Sequence, residues 1–205
     1  MTTLNAETFD FWRAVGMDYI IPGGSGIFPE GWDPRPFLVM LSADQDTVEF
    51  GCGFGRLSGL FDNEKYLGID LNPEAIRIAK LHAPDHKFEL LDYDKPLPDA
   101  PYYFAYTVFL HIDDETLPKV LAKIPASCKR FMISEIMGRA WRTDQKAPPV
   151  FGRDKEEYIQ IMKNAGFDFT AHFAFPYMHY AKKMIENDVY GKINTNVDFL
   201  LFHRD

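Results

Sequence analysis

Apolar positions along the chain fall into short runs of two kinds. Residues 47–50, 66–69, 87–91, 103–110 and 130–136 are rich in β-branched, aromatic or leucine side chains, and most are bounded by Gly, Asp or Pro. That is the pattern of buried strands. Between them, 56–61, 73–82 and 114–123 read as helices; Pro73 suits a first helical turn, and Asp113 or Asp114 suits an N-cap. Farther on, 155–165 is amphipathic and stops at Gly166, after which 167–175 and 197–203 read as two more strands. A β-α-β-α-β start followed by β-α-β predicts a mostly parallel sheet covered by helices on both faces. The first 45 residues read as a helix, a glycine-rich turn at 21–26 and a short helix near 34–42, placed to cap a site on the sheet. Two segments, 138–152 and 176–196, are loops long for a compact domain, and such loops more often carry function than not.

Composition narrows the function. The 205 residues, 46% hydrophobic and 25% charged, suit one globular domain spanning 1–205. A net charge of −8, with no run of Lys and Arg, repels a polyanion and makes nucleic acid a poor substrate. The start of the chain lacks a secretory pattern, and no apolar run is long enough to span a bilayer, so a cytoplasmic protein without a membrane partner is expected, monomeric or homodimeric. Cys52 and Cys128 fall in different elements and are read as reduced thiols. The six histidines have no ligand spacing, Pro84 breaks any shared helical face between His82 and His86, and no metal is expected.

The strongest chemical signal is Val48-Glu-Phe-Gly-Cys-Gly-Phe-Gly-Arg56, a strand running into three alternating glycines and then a helix. Gly51, Gly53 and Gly55 allow backbone conformations and close approaches that a Cβ forbids, so a ligand can lie against the main chain; purely structural turns between strand and helix also use glycine. A dinucleotide loop needs G-x-G-x-x-G. Counted from Gly51 the third glycine would be Arg56, and counted from Gly53 it would be Ser58. A nicotinamide-dependent oxidoreductase therefore fits poorly, although it remains an alternative beside a non-catalytic Rossmann-like binding protein.

The stretch from Val48 to Gly55 resembles the first motif of the class I S-adenosylmethionine-dependent methyltransferases, of the small-molecule type. The resemblance implies that Gly51, Cys52, Gly53 and Gly55 line the amino acid portion of the cofactor, while Glu49 helps to hold the loop and the cofactor's ammonium group. Downstream, Tyr66-Leu-Gly-Ile-Asp70 ends a strand in a carboxylate whose two oxygens match a ribose diol. Asp70 would instead cap the helix near Pro73 if its role were structural. Leu71 would pack on the adenine. Leu90-Leu-Asp-Tyr-Asp94 resembles the adenine-contacting motif, with Asp92 accepting from the exocyclic amine and the Tyr93 backbone near a ring nitrogen; Asp92 equally suits an ordinary turn. The run 103–112, which includes Val108 as a cofactor contact, resembles the motif beneath the sulfonium. Two roles are open to His111 there: general base, or structural bond to a loop carbonyl.

The family resemblance implies a Rossmann-like three-layer α/β sandwich, a mostly parallel seven-stranded sheet with an antiparallel last strand. It implies in-line transfer of a methyl group from S-adenosylmethionine, leaving S-adenosylhomocysteine, to a small-molecule acceptor. No Asn-Pro-Pro-Tyr or Asp-Pro-Pro-Tyr sequence is present, which disfavours amino-methyltransferases of DNA adenine and of some protein amides. Acceptor contacts are expected from the extra segments, with Tyr19, Arg139, Trp141 and Tyr177 as candidates that read equally as packing or solvated residues.

Overall fold

Strands buried on both faces by covering helices need near-continuous apolar sequence, and the central runs supply it. The computed structural model describes residues 6–16, 35–142, 149–176 and 196–205. Its strands are β1 (Thr47–Phe50), β2 (Tyr66–Asp70), β3 (Lys87–Leu90), β4 (Tyr102–Tyr106), β5 (Arg130–Glu135), β6 (Asp168–Pro176) and β7 (Asn196–His203). They form one seven-stranded sheet in the order β3-β2-β1-β4-β5-β7-β6. β1 pairs in parallel with β2 and β4, and the parallel register continues outward to β3 and β5. Only β7 runs antiparallel, between β5 and β6, as the fold class implied.

Helices α1 (Ala6–Ala14), α2 (Arg35–Ser42), α3 (Pro73–His82), α4 (Thr116–Leu121) and α5 (Lys155–Asn164) complete the described elements. Alternate side chains of the strands build two cores. Val48, Phe50, Tyr103, Phe131 and Leu200 pack with Phe9 of α1, Leu117 of α4 and Met162 of α5. Tyr66, Tyr102, Phe104 and Phe199 on the other face pack with Leu38 of α2 and Ile76 of α3. The strand order reverses at β1: the chain steps outward on one side to β2 and β3, then crosses back to β4 on the other side of β1. The carboxyl ends of β1 and β4 therefore open a crevice, the place where such sheets bind ligands. No described helix is long and apolar enough to cross a membrane.

The expected caps are specific. Asn72 caps α3 by accepting from the amides of Glu74 and Ala75, with Pro73 at the first turn. Asp113 caps α4, its Oδ1 accepting from Glu115 and Thr116 at 3.1 and 2.9 Å. Asp154 and Glu157 form a reciprocal capping box on α5, and Gly166 ends the following turn at φ 85°.

Three expectations change. The helix over 56–61 reduces to a 3-10 turn at Ser58–Leu60, because Gly59 disfavours helix and Ser58 bonds back to the Gly55 carbonyl at 2.7 Å. α4 is shorter at both ends than 114–123. The strand 103–110 stops at Tyr106: Thr107 turns to φ 56°, and Phe109–His111 forms a 3-10 turn. The apolar run Val-Phe-Leu-His-Ile carries no sign of that turn, because Glu135, distant in sequence, creates it.

Candidate active site

The glycine loop is fastened to the tip of β2. Amides of Gly51 and Cys52 both donate to the Ile69 carbonyl, at 2.8 and 3.0 Å, and the Gly53 amide donates to Asp70 Oδ2 at 2.8 Å. Gly51 has φ 77°, and a Cβ there would lie 2.5 Å from Val108 Cγ2. The loop thus passes under the turn after β4 with room for backbone alone. Gly55 serves packing instead, since its Cβ would meet the Phe88 ring at 2.8 Å, and it does not line the cavity.

Asp70 accepts one backbone N–H on each oxygen, from Gly53 and from Asn72, the latter at 2.8 Å. A lone-pair direction on each oxygen is left for a diol. Burial pushes its carboxyl above the usual range, against the pull of these amides. Capping of α3 falls to Asn72. Besides its capping oxygen, Asn72 donates from Nδ2 to the carbonyls of Trp12 and Val15, at 2.9 and 3.0 Å, and so ties the end of α1 over the site. From α1, Phe9 packs on the Tyr93 ring at 4.5 Å and Trp12 packs on His111 at the same spacing.

Glu49, on the α2 and α3 face of β1, is buried and accepts the Tyr66 hydroxyl. Burial raises its pKa to about 8, with the Tyr66 hydrogen bond and the charge of Arg56 opposing. Arg56 sits with its guanidinium 5.0 Å from the centre of the Tyr106 ring.

The turn after β4 is clamped from two sides. Glu135 Oε1 accepts from the Val108 and Phe109 amides at 2.9 and 2.6 Å. Arg153, 1% exposed, donates to the Phe109 and Ile112 carbonyls at 2.8 and 2.6 Å and to Asp114. Thr107, a β-branched residue in the left-handed region, is the strained link of this turn. His111 is held by Nδ1, which lies 2.7 Å from the Pro149 carbonyl. A carbonyl only accepts, so Nδ1 carries the proton and Nε2 the lone pair. Desolvation lowers the pKa to about 4, and the ring is neutral at pH 7.

These groups enclose a cavity of about 180 Å³ in the crevice. Of the residues singled out from sequence, Glu49, Gly51, Cys52, Gly53, Asp70, Leu71, Tyr93, Val108 and His111 line it. Gly55 and Asp92 do not. Asp92 forms a turn, with Oδ1 accepting from the Asp94 amide at 3.0 Å and Oδ2 paired to Lys95 at 3.2 Å. Arg139 is also outside, bound to Glu157 at 2.6 Å near the start of α5, and Trp141 packs against the α2 and α3 face. Tyr19 and Tyr177 lie outside the described residues. Sequence reasoning did not assign Phe9, Arg56, Tyr106 or Thr107 to the site, although all line it. Arg56 alone carried a signal, by standing where a dinucleotide loop has its third glycine.

The cavity fits a nucleoside with a charged amino acid tail. Phe9, Leu71, Leu91 and Tyr93 wall one side for a flat base, Asp70 stands beside the bare loop, and Glu49 and Arg56 supply opposite charges on the other side. Comparison with known proteins agrees. Residues 48–130 match the family model of a methyltransferase domain. A protein of Xenopus laevis named "Probable tRNA (uracil-O(2)-)-methyltransferase" is 25% identical over 144 residues, which are 66% of this chain and 20% of that protein. The chain thus spans about a fifth of that relative's length. Among solved structures, magnesium protoporphyrin IX methyltransferase from Synechocystis PCC 6803 with bound S-adenosylmethionine superposes with TM-score 0.66 over 100% of both chains at 14% identity. The 1,6-didemethyltoxoflavin-N1-methyltransferase of Burkholderia thailandensis, bound to that compound and S-adenosylhomocysteine, gives 0.59 over 83% of this chain and 76% of that one at 15% identity. At such identities the structural likeness shows the fold alone, a Rossmann-like sandwich shared with S-adenosylmethionine-dependent methyltransferases, while the match to a methyltransferase domain covers the glycine loop, the acid of β2 and the strands that follow up to the start of β5.

Proposed function

We propose that the protein transfers the methyl group of S-adenosylmethionine to a small-molecule acceptor. The observation that carries this reading is the hydrogen bond from the Gly53 amide to Asp70 Oδ2, which joins the bare loop and the acid of β2 at one wall of one cavity. Asp70 then holds the ribose diol, Leu71 and the Tyr93 side of the cavity receive the adenine, and Glu49 meets the ammonium group. The bound donor supplies a methyl group made electrophilic by its sulfonium. The chain's own part is placement and exclusion of water: Val108 closes over Gly51, and α1 covers the crevice through Phe9 and Trp12. His111 Nε2, an unprotonated imidazole nitrogen, takes the proton from an acceptor hydroxyl as the methyl group moves.

A small acceptor is favoured over RNA by the net charge of −8. The tRNA methyltransferase name of the Xenopus relative makes RNA the reading to test against. Calorimetry with S-adenosylhomocysteine should give micromolar binding, weakened about 100-fold in Asp70→Ala, as expected for two lost charge-assisted hydrogen bonds. Methyl-labelled donor should then be incubated with a small-metabolite extract and, separately, with total tRNA. Label in the metabolite fraction supports the acceptor class, and label in tRNA refutes it.

A further inference from the structure

Six buried side-chain atoms among the described residues make no hydrogen bond, and two of them belong to residues of the cavity wall: the Trp12 indole nitrogen and the Tyr93 hydroxyl. A buried donor without a partner has lost its water and gained nothing, so it calls for a ligand atom. Tyr93 stands with Phe9 and Leu91 on the side given above to the base. Trp12 stands one helical turn beyond Phe9 on α1, its ring centre 4.5 Å from that of His111 and tilted by 52°. Its place is fixed twice over: Phe11 meets the indole nearly at right angles at 5.1 Å, and Asn72 donates to the Trp12 carbonyl at 2.9 Å.

Among the described residues no other donor is free on this side of the cavity. The amides of Thr107, Val108, Phe109, His111 and Ile112 bond to carbonyls or to Glu135, and the Thr107 hydroxyl donates to the Tyr106 carbonyl at 2.7 Å. The charged residues of the wall, Glu49, Arg56 and Asp70, belong to β1, the glycine loop and β2. Around His111 the wall is built instead from Trp12, Val108 and Ile112, which favours a planar, uncharged body. It offers the Trp12 N–H and the His111 Nε2 lone pair side by side. With the ring centres only 4.5 Å apart, both address atoms of one small group rather than the two ends of a long ligand.

We propose that Trp12 selects the methyl acceptor: its indole N–H donates to an oxygen on the carbon next to the one bearing the hydroxyl, while that hydroxyl donates to His111 Nε2. The acceptor class is then a neutral phenol or enol with a second, hydrogen-bond-accepting oxygen in the adjacent position. The assignment rests on the methyl-transfer reading, with His111 as its base, and names the substrate class at that site. In the transfer the hydroxyl oxygen bonds to the methyl carbon as the carbon–sulfur bond breaks, its proton passes to His111 Nε2, and the sulfonium becomes a thioether. A molecule with the hydroxyl but no neighbouring oxygen leaves the indole nitrogen unbonded and is selected against.

The test uses two phenols of nearly equal size on intact protein. 2-Methoxyphenol places an accepting oxygen beside its hydroxyl; 2-ethylphenol has a methylene there. Dissociation constants are measured by calorimetry on the S-adenosylhomocysteine complex of the wild-type chain and of Trp12→Phe, and methyl transfer from labelled donor to each phenol is followed in parallel. The wild type should favour 2-methoxyphenol by about tenfold in both readouts, as expected for one hydrogen bond to an otherwise orphaned donor. Trp12→Phe, which keeps a ring against His111 but has no N–H, should bring that ratio to about one. A general loss of packing would weaken both phenols together and leave the ratio as it was. Equal affinity for the two phenols in the wild type, or a preference that survives in Trp12→Phe, overturns the role of Trp12; the wild-type comparison decides even where the variant does not fold. Binding of S-adenosylhomocysteine with no binding or labelling of either phenol refutes the acceptor class and leaves the donor reading intact. If S-adenosylhomocysteine itself does not bind, the donor reading fails and takes this assignment with it.

Discussion

Glu49 occupies a place where its charge is expensive until a cation arrives. Burial raises its pKa to about 8, so near neutral pH the free protein holds it mostly protonated. A bound ammonium favours the carboxylate, and binding must then expel the proton. The affinity for S-adenosylhomocysteine should therefore rise with pH between about 6 and 8, by up to tenfold per unit, and level off above. Glu49→Gln, which cannot ionise, should bind more weakly at pH 8 and lose that slope; a wild-type affinity flat across this range would contradict the role. Cys52, beside it, behaves otherwise: burial drives its thiol pKa well above the ordinary value, so it is a packing residue under the loop and no nucleophile.

Among the elements, α1 and the turn after β4 decide access to the cavity, and each is held by few bonds. Asn72 caps α3 and tethers α1, and the two tasks can be separated. Serine caps a helix about as well as asparagine but has no amide to reach the Trp12 and Val15 carbonyls. In Asn72→Ser, hydrogen exchange over residues 6–16 should speed up while α3 keeps its protection, and S-adenosylhomocysteine should dissociate several-fold faster. Unchanged exchange in α1 would show that the tether does not hold it. The turn bearing Val108 and His111 depends on Glu135 and Arg153 in a comparable way. Removing the guanidinium in Arg153→Met strands two carbonyls in the interior. Denaturant unfolding should show a loss of about 3–5 kcal/mol, the cost of breaking a buried charged network.

At the scale of the whole molecule, three buried ionisable groups shape stability against pH. Glu49 and Glu135 both have pKa values raised to about 8 by burial, so their contribution is complete below their ordinary pKa of 4.5 and is lost as pH rises toward 8. His111, lowered to about 4 by burial, contributes above its ordinary 6.5 and loses that contribution as pH falls toward 4. From 4.5 to 6.5 the histidine offsets part of the glutamate loss; from 6.5 to 8 the glutamates act alone. The thermal midpoint of the free protein should therefore fall most steeply between pH 6.5 and 8, and Glu135→Gln should flatten part of that fall. A midpoint constant from 6.5 to 8 would mean that both carboxyls are solvated in solution.

Local sequence determined what depends on a few neighbours. The strands of the parallel core, Pro73 in the first turn of α3, Asp113 as a cap, Gly166 as a stop and the bare loop at Gly51 and Gly53 each follow from side-chain shape or from the lack of a Cβ. The class I resemblance is carried by the same short stretches, because a ligand lying on a backbone constrains residues adjacent in the chain. Tertiary structure decided what depends on partners far apart in sequence. Glu135 ends β4 early and places His111 on a turn, Asn72 brings α1 across the crevice, Asp92 turns to its own neighbours, and Arg139 is drawn away to Glu157. Arg56 belongs to both accounts: its position was visible in the glycine motif, but only the folded sheet sets its guanidinium over the Tyr106 ring in the cavity wall.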